Sequence, residues 1–427
     1  MILVLPKERD MYIKRAIEDA VRKISKTFPV LLVTGARQVG KTRLLTELAG
    51  EGRTYVTLDD PDVRRMAKTD PALFMQRYTP PLIIDEIQYA PEILPYIKMA
   101  VDKSHEMGGF WLTGSQMFHM MKNVSESLAG RVGIMNLFGL SQSEIAGIPS
   151  EMFSTDKDRL LARLKIAPKA NLGEIYKRIW RGSMPALYGE DPPAPSNFYS
   201  AYINTYIGRD IRDLTQVADE MAFLDFMTVA AARTAKPVIY EEIAGEAGVS
   251  APTAKKWLSI LVSSGLAALV RPYHNNALKR VVKTPILHFL DTGLAAYMLK
   301  WENPEVLERG AASGAFFESY VFSEIYKSFV NAGQEPPIFY YRDRDQKEID
   351  LLIYRNGTLY PIEIKKSASP GTVAVKHFGV LTPVAGPERF GKPEQFKIDI
   401  GAGAVVCMAN DLLPVDRQNW FVPVWLI

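Results

Sequence analysis

The chain has 427 residues, of which 47% are hydrophobic and 23% charged, and its formal net charge is +3. This length allows two to four domains with sizeable cores, and the composition is that of an ordinary globular protein. So small a net charge excludes a polycation, and any nucleic-acid surface must therefore come from local clustering of basic residues.

The chain contains a single cysteine, Cys407, which excludes an intramolecular disulfide and argues against a cysteine-based metal site. Its first ten residues lack the basic leader of a signal peptide. No apolar stretch approaches the length of a membrane span. We therefore expect a cytoplasmic protein with no membrane partner.

The first predicted elements surround a glycine-rich loop. Residues 12–26 have apolar positions at helical spacing and predict an amphipathic helix. The apolar run Val30–Val33 predicts a buried parallel strand, and Gly35-Ala-Arg-Gln-Val-Gly-Lys-Thr42 follows it at once. This segment fits the pattern G-x-x-x-x-G-K-[ST], and the residues after it predict a helix. Strand, glycine loop and helix in this order are typical of a P-loop.

A P-loop binds nucleotide phosphates through its backbone N–H groups, which the two glycines allow to converge. Lys41 would neutralise the β- and γ-phosphates, and the Thr42 hydroxyl would ligate Mg²⁺. The sequence therefore predicts ATP and Mg²⁺ as ligands. The residues expected to bind the nucleotide are Gly35, Ala36, Arg37, Gln38, Val39, Gly40, Lys41, Thr42 and Arg43.

Two further strands are predicted next, at residues 53–60 and 81–84, and the second of them ends in Asp85 and Glu86. In a P-loop enzyme Asp85 would hold Mg²⁺ through its water shell, and Glu86 would polarise the water that attacks the γ-phosphate. Many strands end in a solvated carboxylate, so this motif takes its meaning from the P-loop upstream.

Polar residues also follow the strand predicted at residues 110–113. Thr113 and Ser115 are candidates for a side chain that senses the γ-phosphate and orients water, although turns favour such residues in any case. Arg131 could be an arginine finger, supplied in cis or to a neighbouring subunit. Equally, it could be a surface arginine beside a helix-ending glycine.

Together these motifs resemble a large family of bacterial and archaeal AAA-type ATPases with a C-terminal region long labelled as of unknown function. The resemblance rests on Leu31–Thr42, Leu82–Gln88, Leu112–Ser115 and Glu126–Arg131, and it continues in Arg181–Pro185 and Tyr206–Leu214. Ser183 stands where the family has a second glycine. The resemblance implies an α/β chain with an AAA-like ATPase core at 1–150, a helical linker at 151–218, a winged helix at 219–300 and a restriction-endonuclease-like domain at 301–427.

Residues 240–265 have the sequence pattern of a helix-turn-helix, with a turn at Gly248-Val-Ser and a second helix that begins with Pro252 in its first turn. Residues 236–290 hold seven Lys or Arg against three Glu, a local excess of four positive charges. DNA contacts are expected near the start of the second helix and on the wing, from Lys255, Lys256, Arg271, Lys279 and Arg280. The alternative is a protein–protein or lever module with a solvated basic face.

The last predicted domain contains a second group of carboxylates. Alternation along the strand predicted at residues 359–366 places Glu363 and Lys365 on one side, and Asp350 lies on the adjacent hairpin strand. Two carboxylates can bind a divalent metal, and a lysine beside them can orient a water molecule. The pattern resembles the PD-(D/E)XK nuclease motif, with Glu318 matching the acidic residue of its first helix. The alternative is a salt-bridged surface strand.

Residues 372–427 are expected to complete this domain with a helix and two further strands, the last of them a buried strand at 420–427. The whole pattern predicts a Mg²⁺-dependent ATPase that couples hydrolysis to DNA binding or remodelling, with DNA cleavage left open. The alternative is a nucleotide-dependent switch whose last domain only holds DNA or a protein. If Arg131 acts in trans, the chain forms a homo-oligomer.

Overall fold

The computed structural model describes residues 12–50, 52–114, 124, 127–205, 220–273, 284–343, 345–381 and 398–427. Three predicted site residues lie outside these ranges, namely Ser115, Lys279 and Arg280. In the described parts of the chain, no helix combines the length and the apolarity needed to cross a lipid bilayer.

The first sheet has five strands. They are β1 (Val30–Thr34), β2 (Thr54–Thr57), β3 (Leu82–Asp85), β4 (Phe110–Gly114) and β5 (Val132–Asn136). All of them are parallel, and their order is β2-β3-β4-β1-β5. The residues that follow β1, β3 and β4 therefore emerge at the same edge of the sheet.

Helices cover both faces of this sheet. They are α1 (Glu18–Ser25), α2 (Lys41–Ala49), α3 (Pro61–Thr69), α4 (Pro71–Arg77), α5 (Leu94–Ser104) and α6 (Gln142–Ala146). Successive side chains of a strand point to opposite faces. Leu31 and Val33 accordingly lie in one apolar cluster with α1 and α2, while Val30 and Leu32 lie in a second cluster with α3, α4 and α5.

The remaining helices follow in chain order. They are α7 (Lys157–Leu164), α8 (Leu172–Arg181), α9 (Pro195–Thr205), α10 (Glu220–Ala232), α11 (Tyr240–Glu246), α12 (Ala251–Ser263), α13 (Thr292–Met298), α14 (Pro304–Arg309) and α15 (Ser313–Asn331). The turn between α11 and α12 contains Gly248 in the left-handed region, with a φ of 66°. Ser250 then caps α12 through the N–H of Thr253, and Pro252 lies in the first turn.

The second sheet extends from the middle of the chain to its last residues. Its strands are β6 (Lys236–Pro237), β7 (Ala267–Pro272), β8 (Ile286–Phe289), β9 (Ile338–Arg342), β10 (Glu348–Arg355), β11 (Thr358–Lys365), β12 (Asp399–Ile400), β13 (Gly403–Cys407), β14 (Leu413–Pro414) and β15 (Asn419–Pro423). The strands β9, β10 and β11 form an antiparallel meander. The next strands, β13 and β15, run parallel to β11.

One pairing joins the two regions that the sequence assigned to separate domains. β7 pairs in parallel with β9, through Arg271 opposite Phe339 and Pro272 opposite Tyr340. The strands that follow α12 and those of the C-terminal region thus belong to one ten-stranded sheet. A single apolar cluster also reaches from β1 through the middle helices to β15.

Two expectations for the C-terminal region were wrong. Within the described residues of 372–427 there is a 3-10 helix, Thr372–Val380, and four strands rather than two. The strand predicted at 420–427 stops at Pro423, and residues 424–426 form a 3-10 turn. Proline has no N–H to continue a ladder of hydrogen bonds, which explains why the strand ends there.

Candidate functional site

The glycine-rich loop follows β1 and leads directly into α2. Gly35 has a φ of 142°, and a Cβ at this position would lie 2.1 Å from the backbone oxygen of Leu137. Only glycine fits there, because the loop packs against the chain that leaves β5. Gly40 has a φ of 91° and precedes the first residue of α2, Lys41. The loop and the helix N-terminus thus have the arrangement that binds a phosphate.

The Lys41 side chain lies across the loop. Its Nζ donates to the backbone oxygens of Gly35 at 3.0 Å and Ala36 at 2.8 Å. The ammonium group is buried, with 6% of the residue exposed. Lys41 is therefore held over the loop where phosphates would enter, by backbone oxygens that those phosphates can replace.

The other residues expected to bind nucleotide differ in exposure. Ala36 and Val39 are buried, Arg37 is half-buried, and Gln38 is exposed in the left-handed region. Arg43 is exposed and pairs with Glu47 at 3.7 Å. Among these side chains, only those of Ala36 and Val39 contribute to the core beneath the loop.

Asp85 lies at the centre of a group of hydroxyl donors. Its Oδ1 accepts from the hydroxyls of Thr42 at 2.7 Å and Thr113 at 2.5 Å, and its Oδ2 accepts from the phenol of Tyr55 at 3.0 Å. Asp85 is only 5% exposed. A carboxylate beside a P-loop hydroxyl is the donor set that Mg²⁺ uses in nucleotide sites, so these residues fit that ion.

Glu86 follows in a left-handed conformation, with a φ of 59°. Its N–H donates to the Thr113 hydroxyl at 3.0 Å, and its Oε2 accepts from the side-chain amide of Gln88. Thr113 therefore bridges the two acidic residues. Sequence reasoning did not single out Gln88 or Tyr55, although Gln88 stands two residues after Glu86 in the same motif.

Arg131 lies at the other end of the sheet. It immediately precedes β5, and its backbone oxygen accepts from Val30 at the start of β1, whereas the glycine-rich loop follows the end of β1. Its guanidinium pairs with Asp102, with Nη2 3.1 Å from Oδ2. Arg131 therefore does not reach its own chain's loop in this geometry, and a role in trans stays a prediction.

A buried arginine that sequence reasoning missed supports the loop from outside. Arg15 is 4% exposed. Its guanidinium donates to the backbone oxygens of Val39 at 2.8 Å and Phe138 at 2.7 Å, and to the carboxylate of Glu144 at 3.0 Å. It thus ties the loop to α6, and one charged residue within a predicted amphipathic helix carries no signal of such a role.

The second group of carboxylates lies where β10, β11 and α15 meet. Leu351 pairs with Ile362 in the antiparallel register, so Asp350 falls opposite Glu363. Asp350 accepts from the N–H of Ile364 at 2.7 Å. Lys365 lies 2.6 Å from Glu363 and 3.8 Å from Asp350. The structure therefore brings together the three strand residues of the predicted motif.

The electrostatics of these groups show strong mutual influence. Burial, reinforced by Asp350, raises the pKa of Glu363 to about 7. Burial and the carboxylates of Asp350 and Glu348 raise the pKa of Glu318 well above its usual value. Burial also raises the pKa of Asp350, against the opposing effect of Lys365. These carboxylates are close enough to disfavour one another's charged forms.

Two observations bear on whether this acidic site fits a metal ion. Glu363 is 8% exposed, and its Oε2 is buried without a hydrogen-bond partner among the described residues. A buried carboxylate oxygen without a partner can be satisfied by a cation or by a proton. However, no three His, Cys, Asp or Glu side chains of the described residues are arranged to hold a metal ion. The fit is thus limited to the pair Asp350 and Glu363.

Glu348 is a further acidic residue at this site that the sequence analysis did not include. It precedes Asp350 by two residues on β10, and its charge raises the pKa of Glu318. Residues two apart on a strand share a face, so the alternation of Glu348 and Asp350 could have revealed it.

The basic residues expected to contact DNA are exposed where they are described. Lys255 and Lys256 lie in the first half of α12, and Arg271 lies on β7. A fourth basic residue nearby, Arg233, is instead paired with Glu242 and Glu246 of α11 at 2.8 and 2.6 Å. The exposed basic residues of this prediction that the structure describes therefore lie on α12 and β7, whereas Arg233 is engaged by α11.

Comparison with known families assigns the first part of the chain. Residues 27–146 match the family described as an AAA domain. Residues 172–305 match the domain of unknown function DUF8612, and residues 313–427 match the domain of unknown function DUF4143. The chain therefore carries an ATPase domain of the AAA, P-loop type, in agreement with the parallel sheet and the loop described above.

Curated relatives extend the similarity along most of the chain. Uncharacterised proteins of Mycobacterium tuberculosis and Mycobacterium bovis are each 28% identical over 360 residues, which cover 84% of this chain and 75% of theirs. Among solved structures, a Walker-type ATPase of Pyrococcus abyssi is 12% identical and matches with a TM-score of 0.40. That match covers 66% of this chain and 94% of the other.

Proposed function

We propose that this ATPase couples Mg²⁺-dependent ATP hydrolysis to the binding or remodelling of DNA, and that its acidic site at Asp350, Glu363 and Lys365 cleaves DNA. The domain boundaries of this proposal are those expected from the sequence, at 1–150, 151–218, 219–300 and 301–427, with one sheet shared by the last two. The observation that carries the cleavage step is the buried, unpartnered Oε2 of Glu363 beside Asp350 and Lys365.

The hydrolytic step is assigned to residues around Asp85. Lys41 and the backbone N–H groups of the loop would bind the β- and γ-phosphates. Thr42 and Asp85 would hold Mg²⁺, which would neutralise charge on those phosphates. Glu86 accepts a proton from the attacking water. Thr113 holds the N–H of Glu86 and the carboxylate of Asp85, so it fixes the relative position of the two.

The DNA-binding step is assigned to the helix-turn-helix formed by α11 and α12. β7 and β8 follow these helices and pair in antiparallel fashion, and β8 also pairs with β6, which precedes them. This arrangement supports a winged helix. Lys255, Lys256 and Arg271 are exposed and available to phosphates. Lys279 and Arg280 remain predicted contacts of the same surface.

The nuclease-like assignment draws on the order of the strands around the acidic site. An antiparallel meander, β9-β10-β11, carries Asp350 and Glu363, and a parallel strand, β13, follows on the far side of β11. The preceding helix α15 packs against β11 and brings Glu318 to the same site. This arrangement supports a fold like that of the restriction endonucleases.

A specific observation favours the second candidate, a nucleotide-dependent switch that does not cleave DNA. No three acidic or histidine side chains of the described residues converge as a metal site, and Glu363 already pairs with Lys365. In that reading the C-terminal region only holds DNA or a protein.

One experiment separates the two. ATP hydrolysis would be measured with Mg²⁺ in the presence of single-stranded, duplex and branched DNA, and the DNA would be examined for nicks in the same tubes. The cleaving ATPase predicts stimulation by DNA, and nicks that Lys365→Ala and Asp350→Ala remove. The matched control is Lys347→Ala, which removes an exposed lysine close in sequence to the same site and should leave nicking intact.

DNA that stimulates hydrolysis but stays whole would establish the switch and reject cleavage. If none of the DNAs changes the rate of ATP hydrolysis, the proposed coupling of hydrolysis to DNA is rejected.

A further inference from the structure

A pocket of about 300 Å³ lies between α8, α9 and α13, away from both sites described above. Its wall includes four aromatic residues, Trp180, Tyr199, Tyr297 and Trp301, together with the charged residues Lys300 and Glu302. We propose that this pocket binds a nucleobase with its attached phosphate, either from a free nucleotide or from a single strand of DNA or RNA. The proposal does not depend on the ATPase site or on the acidic site.

The aromatic wall is held in position before any ligand arrives. The phenol of Tyr199 donates to Asp291 at 2.7 Å, and Tyr199 is only 1% exposed. The indole N–H of Trp180 donates to the backbone oxygen of Trp301 at 2.7 Å. Rings that are fixed in this way lose little conformational entropy when a flat ligand packs against them.

One polar group of the wall lacks a partner. The indole Nε1 of Trp301 is buried and has no hydrogen-bond acceptor among the described residues. The far edge of the same indole packs against Gly310, where an added Cβ would lie 2.4 Å from the ring. The ring therefore cannot move in that direction. The ring is thus a fixed part of the aromatic wall, and its buried N–H is not open to a ligand.

The pocket lining includes one positive and one negative side chain, which suit a ligand with both a phosphate and a hydrogen-bond donor. Lys300 is exposed, and its ammonium lies 4.8 Å from the centre of the Tyr297 ring. Its backbone is in the left-handed region, with a φ of 59°, which is uncommon for lysine. Lys300 can therefore meet a phosphate beside the aromatic wall. Glu302 can accept from an exocyclic amino group or a sugar hydroxyl.

Size and chemistry together select the class of ligand. A volume near 300 Å³ is at the lower end of pockets that bind small molecules. Every base has a π-face, and stacking on aromatic side chains is tolerant of sequence. An aliphatic ligand would leave the aromatic faces and Lys300 unused, whereas a nucleobase with a phosphate uses both.

Tryptophan fluorescence tests the proposal on the full chain. The Lys41→Ala variant removes nucleotide binding at the loop, and in that background thymidine monophosphate, adenosine monophosphate and a dodecamer of deoxythymidine would be titrated. We expect saturable quenching that Tyr297→Leu and Lys300→Ala each weaken, the former by at least about 10-fold. Trp180→Phe with Trp301→Phe should remove the quenching, and Trp420→Phe should leave it unchanged.

The three probes distinguish the source of the base. Quenching by the mononucleotides identifies a site for free nucleotide, and quenching by the dodecamer alone identifies a site for single strands. The proposal is overturned if no probe quenches, or if quenching persists with both tryptophans of the pocket replaced. If Tyr297→Leu fails to fold, Lys300→Ala still tests the proposal, because Lys300 is exposed and its replacement should not disturb folding.

Discussion

The nucleotide site and the acidic site each place a buried carboxylate at a strand, yet their surroundings differ. Asp85 is 5% exposed and accepts hydrogen bonds from the hydroxyls of Thr42, Thr113 and Tyr55. Glu363 is 8% exposed and pairs with Lys365, but its second oxygen has no partner among the described residues. One carboxylate is satisfied by neutral donors, and the other is incompletely satisfied.

The difference in hydrogen-bond partners indicates which of the two sites is already arranged to accept a cation. Neutral hydroxyls stabilise a carboxylate and can turn to share it with a cation, so the side chains around Asp85 are already arranged for the proposed Mg²⁺. In the acidic site, burial raises the pKa of Glu318 and of Glu363, and the charge of Asp350 adds to both shifts. The acidic site therefore depends on a proton or a cation to become stable.

The largest expected effect is on hydrolysis and comes from Glu86→Gln. The amide keeps the size of the side chain but cannot accept the proton of the attacking water. We expect ATP to bind normally and its hydrolysis to fall about 100- to 10,000-fold. Binding would be measured with a fluorescent nucleotide analogue, and turnover as phosphate release.

Lys41→Ala serves as the opposite control, because it should remove binding itself. Normal turnover in Glu86→Gln would show that another group acts as the base.

A large effect on stability is expected where α15 packs against the segment that leads from β5 into α6. Lys327 is 2% exposed, and its ammonium donates to the backbone oxygen of Leu140 and to Glu324, which in turn accepts from the N–H of Gln142. Lys327→Met leaves the buried Glu324 charge without its cation. We expect the free energy of unfolding to fall by about 3–5 kcal/mol, as measured by urea denaturation.

Adding Glu324→Gln to Lys327→Met removes the unpaired charge and should recover part of the loss. The control is Arg159→Ala, which breaks an exposed pair with Glu151 and should change stability by less than about 1 kcal/mol. If Lys327→Met and Arg159→Ala lower the free energy of unfolding equally, the buried pair of Lys327 and Glu324 has no special role in stability.

A smaller effect is expected on the pH dependence of stability. Burial beside Asp350 raises the pKa of Glu363 from 4.5 to about 7, so the folded chain binds the proton more tightly than the unfolded chain. Its contribution to stability is therefore lost as the pH rises through this window. Without divalent metal, wild-type stability relative to Glu363→Gln should fall between pH 5 and pH 8 in urea denaturation.

Mg²⁺ or Ca²⁺ at pH 8 should raise the stability of the wild type more than that of Glu363→Gln. If the two proteins keep a constant difference at every pH, the raised pKa of Glu363 is not a property of the folded chain.

The smallest expected effect is that of Arg131→Ala. Its pair with Asp102 is exposed and lies at the end of the sheet opposite the glycine-rich loop. In a monomeric sample we expect unchanged ATP turnover per chain. Turnover that rises with protein concentration in the wild type, and is lost in Arg131→Ala, would instead identify an arginine supplied to a neighbouring subunit.

The sequence by itself determined the elements that local rules govern. The loop from Gly35 to Thr42, the strand before it and the helix after it follow from residue types at fixed spacing. The hairpin that brings Asp350 opposite Glu363 follows from the alternation of two short strands. The boundaries at the C-terminal end were less predictable, because Pro423 ends a strand that the apolar pattern continues.

Only the tertiary structure decided which distant groups meet. Arg15 reaches Val39 and Glu144, and Lys327 reaches Leu140, across separations in sequence that no local pattern encodes. The pairing of β7 with β9, which merges two predicted domains into one sheet, is of the same kind. The physical reason is that burial and hydrogen bonding depend on the final packing, whereas periodicity reports only which face of each element is apolar.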